Sequence, residues 1–349
     1  MRKKTRKIRV GDVCVGGDSQ ITVQSMTNTP TSDIEKTVEQ IKAFEKAGCH
    51  ISRSAINSLE DAQAIPAIKE RTCLPFIADI QFDYKLALLA VEYGCDCLRI
   101  NPGNIGSKDK LKLIVDACKE KSIPIRVGAN SGSLSQEMID KYGGVNVDSL
   151  VYSALEEVKK LEDLDFYDIK VSIKSSDVTT MIRANEKFSS LSDYPLHLGV
   201  TEAGPLLPAA IKSSVGIGSL LSQGIGDTIR VSITGDPVEE IKVGRKLLRS
   251  LGLLNEGINI VSCPSCSRTK IDLFSIVDEV SQRLEGSKKN LTVAIMGCPV
   301  NGPGEAKEAD IGIAGSKGQG VIFKKGRVVK QVDEKDLVEE LIKEINRME

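Results

Sequence analysis

The chain has 349 residues, 41% hydrophobic and 27% charged, the balance of an ordinary globular enzyme built as one large domain with a small one, or as two medium ones. Its formal net charge is −1, so no global basic field argues for nucleic acid as a partner. No stretch approaches the roughly 18 apolar residues of a membrane span, and nine cysteines, an odd number, argue for a reducing cytoplasmic compartment over a disulfide framework.

The basic start, MRKKTRKIRV, lacks a following apolar signal core and reads as a solvated arm or first strand. Eight apolar, β-branched runs then alternate with helical stretches. They are ITVQSM (21–26), HISRSA (50–55), FIADIQ (76–81), CLRINPG (97–103), IPIRVGAN (123–130), IKVSIKSS (169–176), LHLGVTEAG (196–204) and TIRVSIT (228–234). The intervening segments, such as DIEKTVEQIKAFEKAG and SKDKLKLIVDACKEK, are apolar at helical spacing. Eight βα units predict an α/β fold, an N-terminal (β/α)8 TIM barrel, because parallel strands need such crossovers. A doubly wound open sheet is the alternative. Cys14, Cys49, Cys73, Cys95, Cys97 and Cys118 lie in or beside these elements and read as small buried hydrophobes. Cys95 and Cys97 fall on alternate faces of a strand, so their thiols point apart.

Toward the C-terminal ends of these runs stand Arg53, Asp79, Arg99 with Asn101, Arg126 with Asn130, Lys174, Glu202, and Arg230 with Ser232. Barrel active sites lie at that end of the strands. A lone strand-end arginine is usually a surface ion-pair partner. Cations from five strands converging on one mouth would repel one another unless an anion sat among them. Given the barrel, a phosphate-rich ligand is expected, approached by backbone N–H groups at glycines in RINPGN, GVTEAG and SITGDP.

After residue 255 the texture changes to strands with few helices: GINIVSCPSCSR, the helical KIDLFSIVDEVSQRLEG (270–286), LTVAIMGCPVNGPGE (291–305), ADIGIAG (309–315) and GVIFKKGRVVKQV (320–332). A terminal helix over 334–348 is charged and reads as a solvated face. The expected division is a barrel over residues 1–255 and a small α+β domain over 256–349, with KKGR as a hairpin turn. Within it, Cys263, Cys266 and Cys298 sit in proline-interrupted loops. A C-x-x-C pair and a distant third thiol suit an iron–sulfur centre with one unusual ligand. Zinc with a fourth ligand is the alternative, and a thioredoxin-like pair would leave Cys298 unexplained. The two histidines, His50 and His197, read as strand or core residues. Glu305 is the nearest oxygen donor after Cys298, and a carboxylate is a labile ligand beside thiolates.

The segments CPSCSR and MGCPVNGPGEA, together with VQSMTNT, ADIQFD, RINPGN, RVGAN and TEAG, resemble the bacterial 4-hydroxy-3-methylbut-2-enyl diphosphate synthase family across essentially the whole chain. The resemblance implies a [4Fe–4S] cluster on Cys263, Cys266, Cys298 and Glu305, making the second domain an iron–sulfur domain. It implies reductive ring opening and dehydroxylation of 2-C-methyl-D-erythritol 2,4-cyclodiphosphate, with two electrons delivered singly from flavodoxin or ferredoxin. Carried over by motif, substrate contacts would be Arg53, Asp79, Arg99, Asn101, Arg126, Asn130, Lys174, Arg230 and Ser232, with Glu202 handling protons near the C3 hydroxyl. In the family the barrel of one subunit works with the cluster domain of its neighbour in a homodimer. Two departures stand out: Gln81 replaces the usual histidine, and serines flank Arg53 where valines are usual, which predicts a less apolar strand. Two other classes fit part of the pattern. A non-enzymatic electron carrier leaves the cations idle. A zinc-stabilised phosphate-sugar isomerase or aldolase could use Lys174 as a Schiff base.

Overall fold

The protein is described from a computed structural model over residues 2–299 and 306–348. The chain divides between Leu254 and Asn255 into two compact units. In the first, a hairpin of β1 (Ile8–Val10) and β2 (Val13–Val15) precedes eight strands. These are β3 (Thr22–Met26), β4 (Ile51–Ala55), β5 (Phe76–Asp79), β6 (Cys97–Arg99), β7 (Ile125–Asn130), β8 (Ile169–Lys174), β9 (His197–Leu198) and β10 (Thr228–Ile229). They pair in parallel in the order β8-β7-β6-β5-β4-β3-β10-β9, and a bridge from Val171 to Leu196 brings the two ends of the sheet together. The expected barrel is therefore present.

Local chemistry places the helices between the strands. Those starting after Asp33, Ser58, Asp83, Ser107, Asn146 and Asp177 are each capped by that residue's side chain, which accepts a first-turn backbone N–H. Replacing such a cap by alanine costs about 1 kcal/mol. The outward residues of the strands, among them Val23, Ile125, Val127, Val171, Ile173 and Ile229, are buried against the helices in one continuous apolar layer. Ser52 and Ser54 are buried too. Ser52 Oγ donates to the Pro75 carbonyl at 3.0 Å and Ser54 Oγ accepts from Thr27 Oγ1 at 2.8 Å, so the polar substitutions flanking Arg53 are satisfied. Beneath the barrel, Ile8, Val10 and Val15 of the hairpin pack on Ile51, Ile77 and Cys97, which stand at the N-terminal ends of β4, β5 and β6. The basic start thus continues into a floor for the barrel.

Two cysteines correct the sequence expectation. Cys73 is exposed in the turn before β5, and Cys14 is half-buried, because at position 14 the hairpin strand turns outward opposite Arg9. Cys95 packs among the helices while Cys97 joins the floor, on opposite sides of the sheet.

The second unit is a five-stranded sheet of β11 (Ile258–Ser262), β12 (Leu291–Met296), β13 (Ile311–Ser316), β14 (Gln319–Lys324) and β15 (Arg327–Asp333), in that order. The first three strands are parallel and the last three antiparallel. KKGR is the hairpin turn between β14 and β15, with Lys325 at φ +46° and Gly326 at φ +73°, the left-handed pair that a tight two-residue turn demands. The terminal helix Leu337–Arg347 is not merely a solvated face. Its Leu337, Leu341 and Ile345 are buried with Leu273, Ile276 and Val280 of the helix Leu273–Arg283 in one core. Among the described residues no helix is long and apolar enough to cross a membrane.

Candidate functional site

Charged side chains fill the interior of the barrel. Asp79 on β5 accepts from Arg99 Nη1 at 3.1 Å, and its second oxygen lies 3.6 Å from Arg53 Nε. Arg53 also points Nε and Nη2 at the Met26 sulfur, at 3.2 and 3.0 Å. Two strands along, Arg230 makes a two-pronged pair with Glu240, at 3.0 and 3.1 Å. Glu240 is held in turn by Ser25 Oγ at 2.9 Å and the Ile233 N–H at 3.1 Å. Arg126 Nε and Nη2 donate to Ser172 Oγ at 3.3 and 3.1 Å. Lys174 is buried beside Gly199, where a Cβ would stand 3.0 Å from its Nζ and 2.8 Å from the Arg230 carbonyl. Only glycine leaves the lysine that room.

Five cations, Arg53, Arg99, Arg126, Lys174 and Arg230, therefore share this space with two carboxylates, Asp79 and Glu240. The electrostatics follow from the crowding. Burial, with Arg230 and Arg99 adding to it against the pull of Asp79, pushes Arg53 down to about 10. Burial and then the neighbouring guanidiniums hold Arg126 and Lys174 well below their ordinary ranges. Burial alone would raise Asp79, but Arg53, Arg99 and Arg126 outweigh it and keep the carboxyl below its usual value. Like charges held this way form a seat for an anion.

The remaining residues expected from the sequence lie where strands end. Asn101 follows β6 and its side-chain oxygen accepts from Gly103 N–H at 3.1 Å. Asn130 ends β7 and accepts from Gly132 N–H at 3.3 Å. Each asparagine oxygen thus caps a turn, leaving the amide nitrogen as the group free to donate. Ser232 is half-buried after β10, and Glu202 is exposed after β9 with φ at +54°. Arg126 departs from expectation: it is the second residue of β7, deep in the barrel, and not at the strand's end. Gln81 is exposed beyond β5. Sequence reasoning missed Met26, Ser172 and Glu240, which orient the arginines. Glu240 sits in the first turn of helix Pro237–Ser250, where an acidic residue ordinarily signals only helix start.

In the second unit, the three cysteines follow two neighbouring parallel strands. Cys263 and Cys266 come directly after β11, and Cys298 comes two residues after β12. The loops are stitched together: Gly297 N–H donates to Cys263 Sγ at 3.3 Å, and Lys270 N–H to the Gly297 carbonyl at 2.9 Å. Cys266 N–H and carbonyl both bond Thr269. All three thiols are free of disulfides. Glu305 lies outside the described residues. Among the described residues no three His, Cys, Asp or Glu side chains form a group that could hold a metal ion. The loops supply thiols, the donor type that iron–sulfur clusters take, and one of them already accepts a backbone N–H. Neither histidine is near these loops in sequence. His50 Nδ1 accepts from Val23 N–H at 3.0 Å and His197 is buried in the barrel.

Comparison with known proteins divides the chain in the same two parts. The model described as the GcpE TIM-barrel domain matches residues 5–245, and that of the GcpE protein C-terminal domain matches 259–347. A Clostridium perfringens protein named 4-hydroxy-3-methylbut-2-en-1-yl diphosphate synthase (flavodoxin) is 59% identical over 342 residues, 98% of each chain. Proteins of the same name from Caldanaerobacter subterraneus and Fusobacterium nucleatum are 56% and 53% identical, covering 100% and 99% of this chain and 98% of their own. With both units matched in order and identity above one half from end to end, the chain belongs to the GcpE family.

Proposed function

We propose that the chain converts 2-C-methyl-D-erythritol 2,4-cyclodiphosphate into 4-hydroxy-3-methylbut-2-enyl diphosphate. Two electrons and one proton enter, the ring opens at a carbon–oxygen bond to free a linear diphosphate, and a hydroxyl departs as water. The observation that carries this reading is the excess of cations in the barrel: Arg53, Arg99, Arg126, Lys174 and Arg230, with Lys170 beneath them, against Asp79 and the Glu240 that reaches Arg230 from its helix. A cyclic diphosphate brings two negative charges to such a seat, and preorganised donors in a water-poor site hold it without further rearrangement. Arg53, Arg99, Arg126, Lys174 and Arg230 would bind the phosphates, with Asp79 fixing two of the arginines. Asn101, Asn130 and Ser232 would add neutral hydrogen bonds at the rim. Glu202 would deliver the proton that lets the hydroxyl leave.

Cys263, Cys266 and Cys298, with Glu305 as an exchangeable oxygen donor, would hold a [4Fe–4S] cluster, which when bound supplies electrons singly and Lewis acidity. Flavodoxin is the electron donor we assign, in keeping with the relatives' names, and the reducing cytoplasm is the compartment that keeps the thiols available. A homodimer is part of the same reading. Helix Leu206–Ser222 exposes Leu207, Ile211 and Val215 at successive turns, and Lys212 is its one charged residue, a face that suits burial against a second copy.

The test is anaerobic preparation followed by iron and acid-labile sulfide analysis, a light-scattering mass, and turnover with reduced flavodoxin. The expectation is equal iron and sulfide, a mass of two chains, and the linear diphosphate as product, with Cys298→Ser losing both cluster and product. A preparation containing iron and sulfide that releases no linear diphosphate overturns the proposed reaction.

A further inference from the structure

Below the arginine layer the barrel holds polar groups that the proposed reaction does not use. Thr22 and Gln24 on β3, Lys170 on β8, His197 on β9 and Thr228 on β10 are all buried. The hydroxyls of Thr22 and Thr228, both amide atoms of Gln24, both ring nitrogens of His197, Lys170 Nζ and Arg126 Nη1 have no hydrogen-bond partner within the protein. They gather in one place. Thr22, Thr228 and His197 stand level on three adjacent strands, and Lys170 stands level with Arg126 on the next pair. The hydrophobic floor of Ile8, Val10, Val15, Ile51, Ile77 and Cys97 closes the space from beneath.

Buried polar atoms in proteins are almost always satisfied, and where side chains cannot do it, water with two to four polar neighbours does. These buried polar atoms are therefore the ones whose partners must come from outside the protein's own side chains. Lys170, like Arg126 level with it, has no carboxylate paired to it among the described residues, and its Nζ has no hydrogen-bond partner. It is faced by Arg126 from β7, Arg53 from β4, the Cys97 thiol from β6 and His197 from β9. The nearby carboxylate, Asp79 on β5, is already shared by Arg53 and Arg99, and Lys174 lies farther along β8 itself. Burial, countered by Cys97 and reinforced by Arg126 and Arg53, brings Lys170 down to about 8. Burial followed by Arg126, Lys174 and Lys170 keeps His197 neutral.

We propose that Lys170 is a proton-coupled positioning residue: it takes up a proton when a phosphorylated ligand is seated on the arginines above it, so that the deep cation appears only with its counter-charge. A new N–H bond forms on Nζ, the proton comes from the surrounding buffer, and no electrons change hands. This rests on the proposed function only in taking a phosphorylated ligand as the occupant of the seat. For two charges on the order of 10 Å apart at an effective dielectric of ~20, each ligand charge would strengthen the lysine's hold on its proton by about tenfold.

Calorimetric titration at pH 8 of the oxidised, cluster-loaded protein, without reductant, tests the inference. The cyclic diphosphate is titrated in HEPES and in Tris, whose ionisation enthalpies differ, and inorganic sulfate is titrated in parallel. Neither anion changes protonation near pH 8, so any proton taken up goes to the protein. Wild type is expected to take up roughly 0.3–0.6 proton per ligand through Lys170, an amount set by the charge interaction above. Its affinity should fall up to tenfold per pH unit above about 8. Lys170→Met, and Lys170→Gln should the first fail to fold, lose that increment of uptake and the pH step, and bind more weakly below pH 8. Uptake by Lys174 would persist in both variants, so the difference between proteins is the reading. Equal uptake in wild type and variants overturns the inference and leaves the proposed function standing. Lysine-dependent uptake with sulfate, in a protein that does not bind the cyclic diphosphate, does the reverse. Binding of neither anion removes both.

Discussion

Glu202 adopts φ +54°, a backbone conformation that side chains with a Cβ resist. Holding it there costs about 1–2 kcal/mol, and strain of this kind persists where the surrounding loop fixes a side chain for use. Glu202→Gly should therefore raise the melting temperature by a few degrees while lowering turnover more than tenfold. Glu202→Gln should keep cluster and fold yet lose rate by about 10²-fold, the scale of a lost general acid. Full activity in the glutamine variant would remove Glu202 from the proposed mechanism. That charge gathers where the strands end was legible in the sequence, because Arg53, Asp79, Arg99, Lys174 and Arg230 lie at or within two residues of their strands' ends. Their supports were not. Met26 reads as a core methionine, although its sulfur touches Arg53 at 3.0 Å. Lys170 reads as half of an alternating strand, and only the closed barrel reveals that its side is the enclosed one.

Helix Pro237–Ser250 shows how an element can serve a site from outside the barrel wall. Asp236 caps it, Pro237 occupies the first turn with its preset backbone, and Glu240 reaches Arg230 with both oxygens. Glu240→Gln keeps the shape but gives up the charge of a buried pair, whose loss is expensive for the partner left behind. The expected result is a KM raised about tenfold or more with kcat changed far less, because the arginine's aim is lost and not the chemistry. An unchanged KM would reduce Glu240 to a helix-start residue. Among the strands, order and type were legible and length was not. LHLGVTEAG and TIRVSIT read as long strands, yet regular pairing covers only His197–Leu198 and Thr228–Ile229. Close approach of backbones at Gly199, and the turn of Arg230 toward Glu240, cut them short. RINPGN likewise leaves the sheet after Arg99, where Asn101 and Pro102 start a short helix.

At the scale of the whole molecule, two units carry separate cores, and the smaller buries one sheet face under two helices and holds a second apolar cluster around Met296 and Phe323. A group gripped by both cysteine loops would add its binding energy to that unit's folding. Anaerobic removal of iron should lower a melting transition assigned to residues 255–349 by several degrees while the barrel transition stays in place. A single transition, unmoved by chelation, would count against the cysteine loops as a cluster site. The two-part plan was legible because the rhythm of strands and helices changes near residue 255. The floor was not, since MRKKTRKIRV gives no sign that the chain after it turns back as a hairpin. That floor has a kinetic meaning. A vessel stoppered at one end has a single doorway, so spent material must retreat along the route by which fresh reactant arrives. Under the proposed function the two would compete for one threshold, so added linear diphosphate is expected to raise KM in steady-state turnover while leaving kcat unchanged.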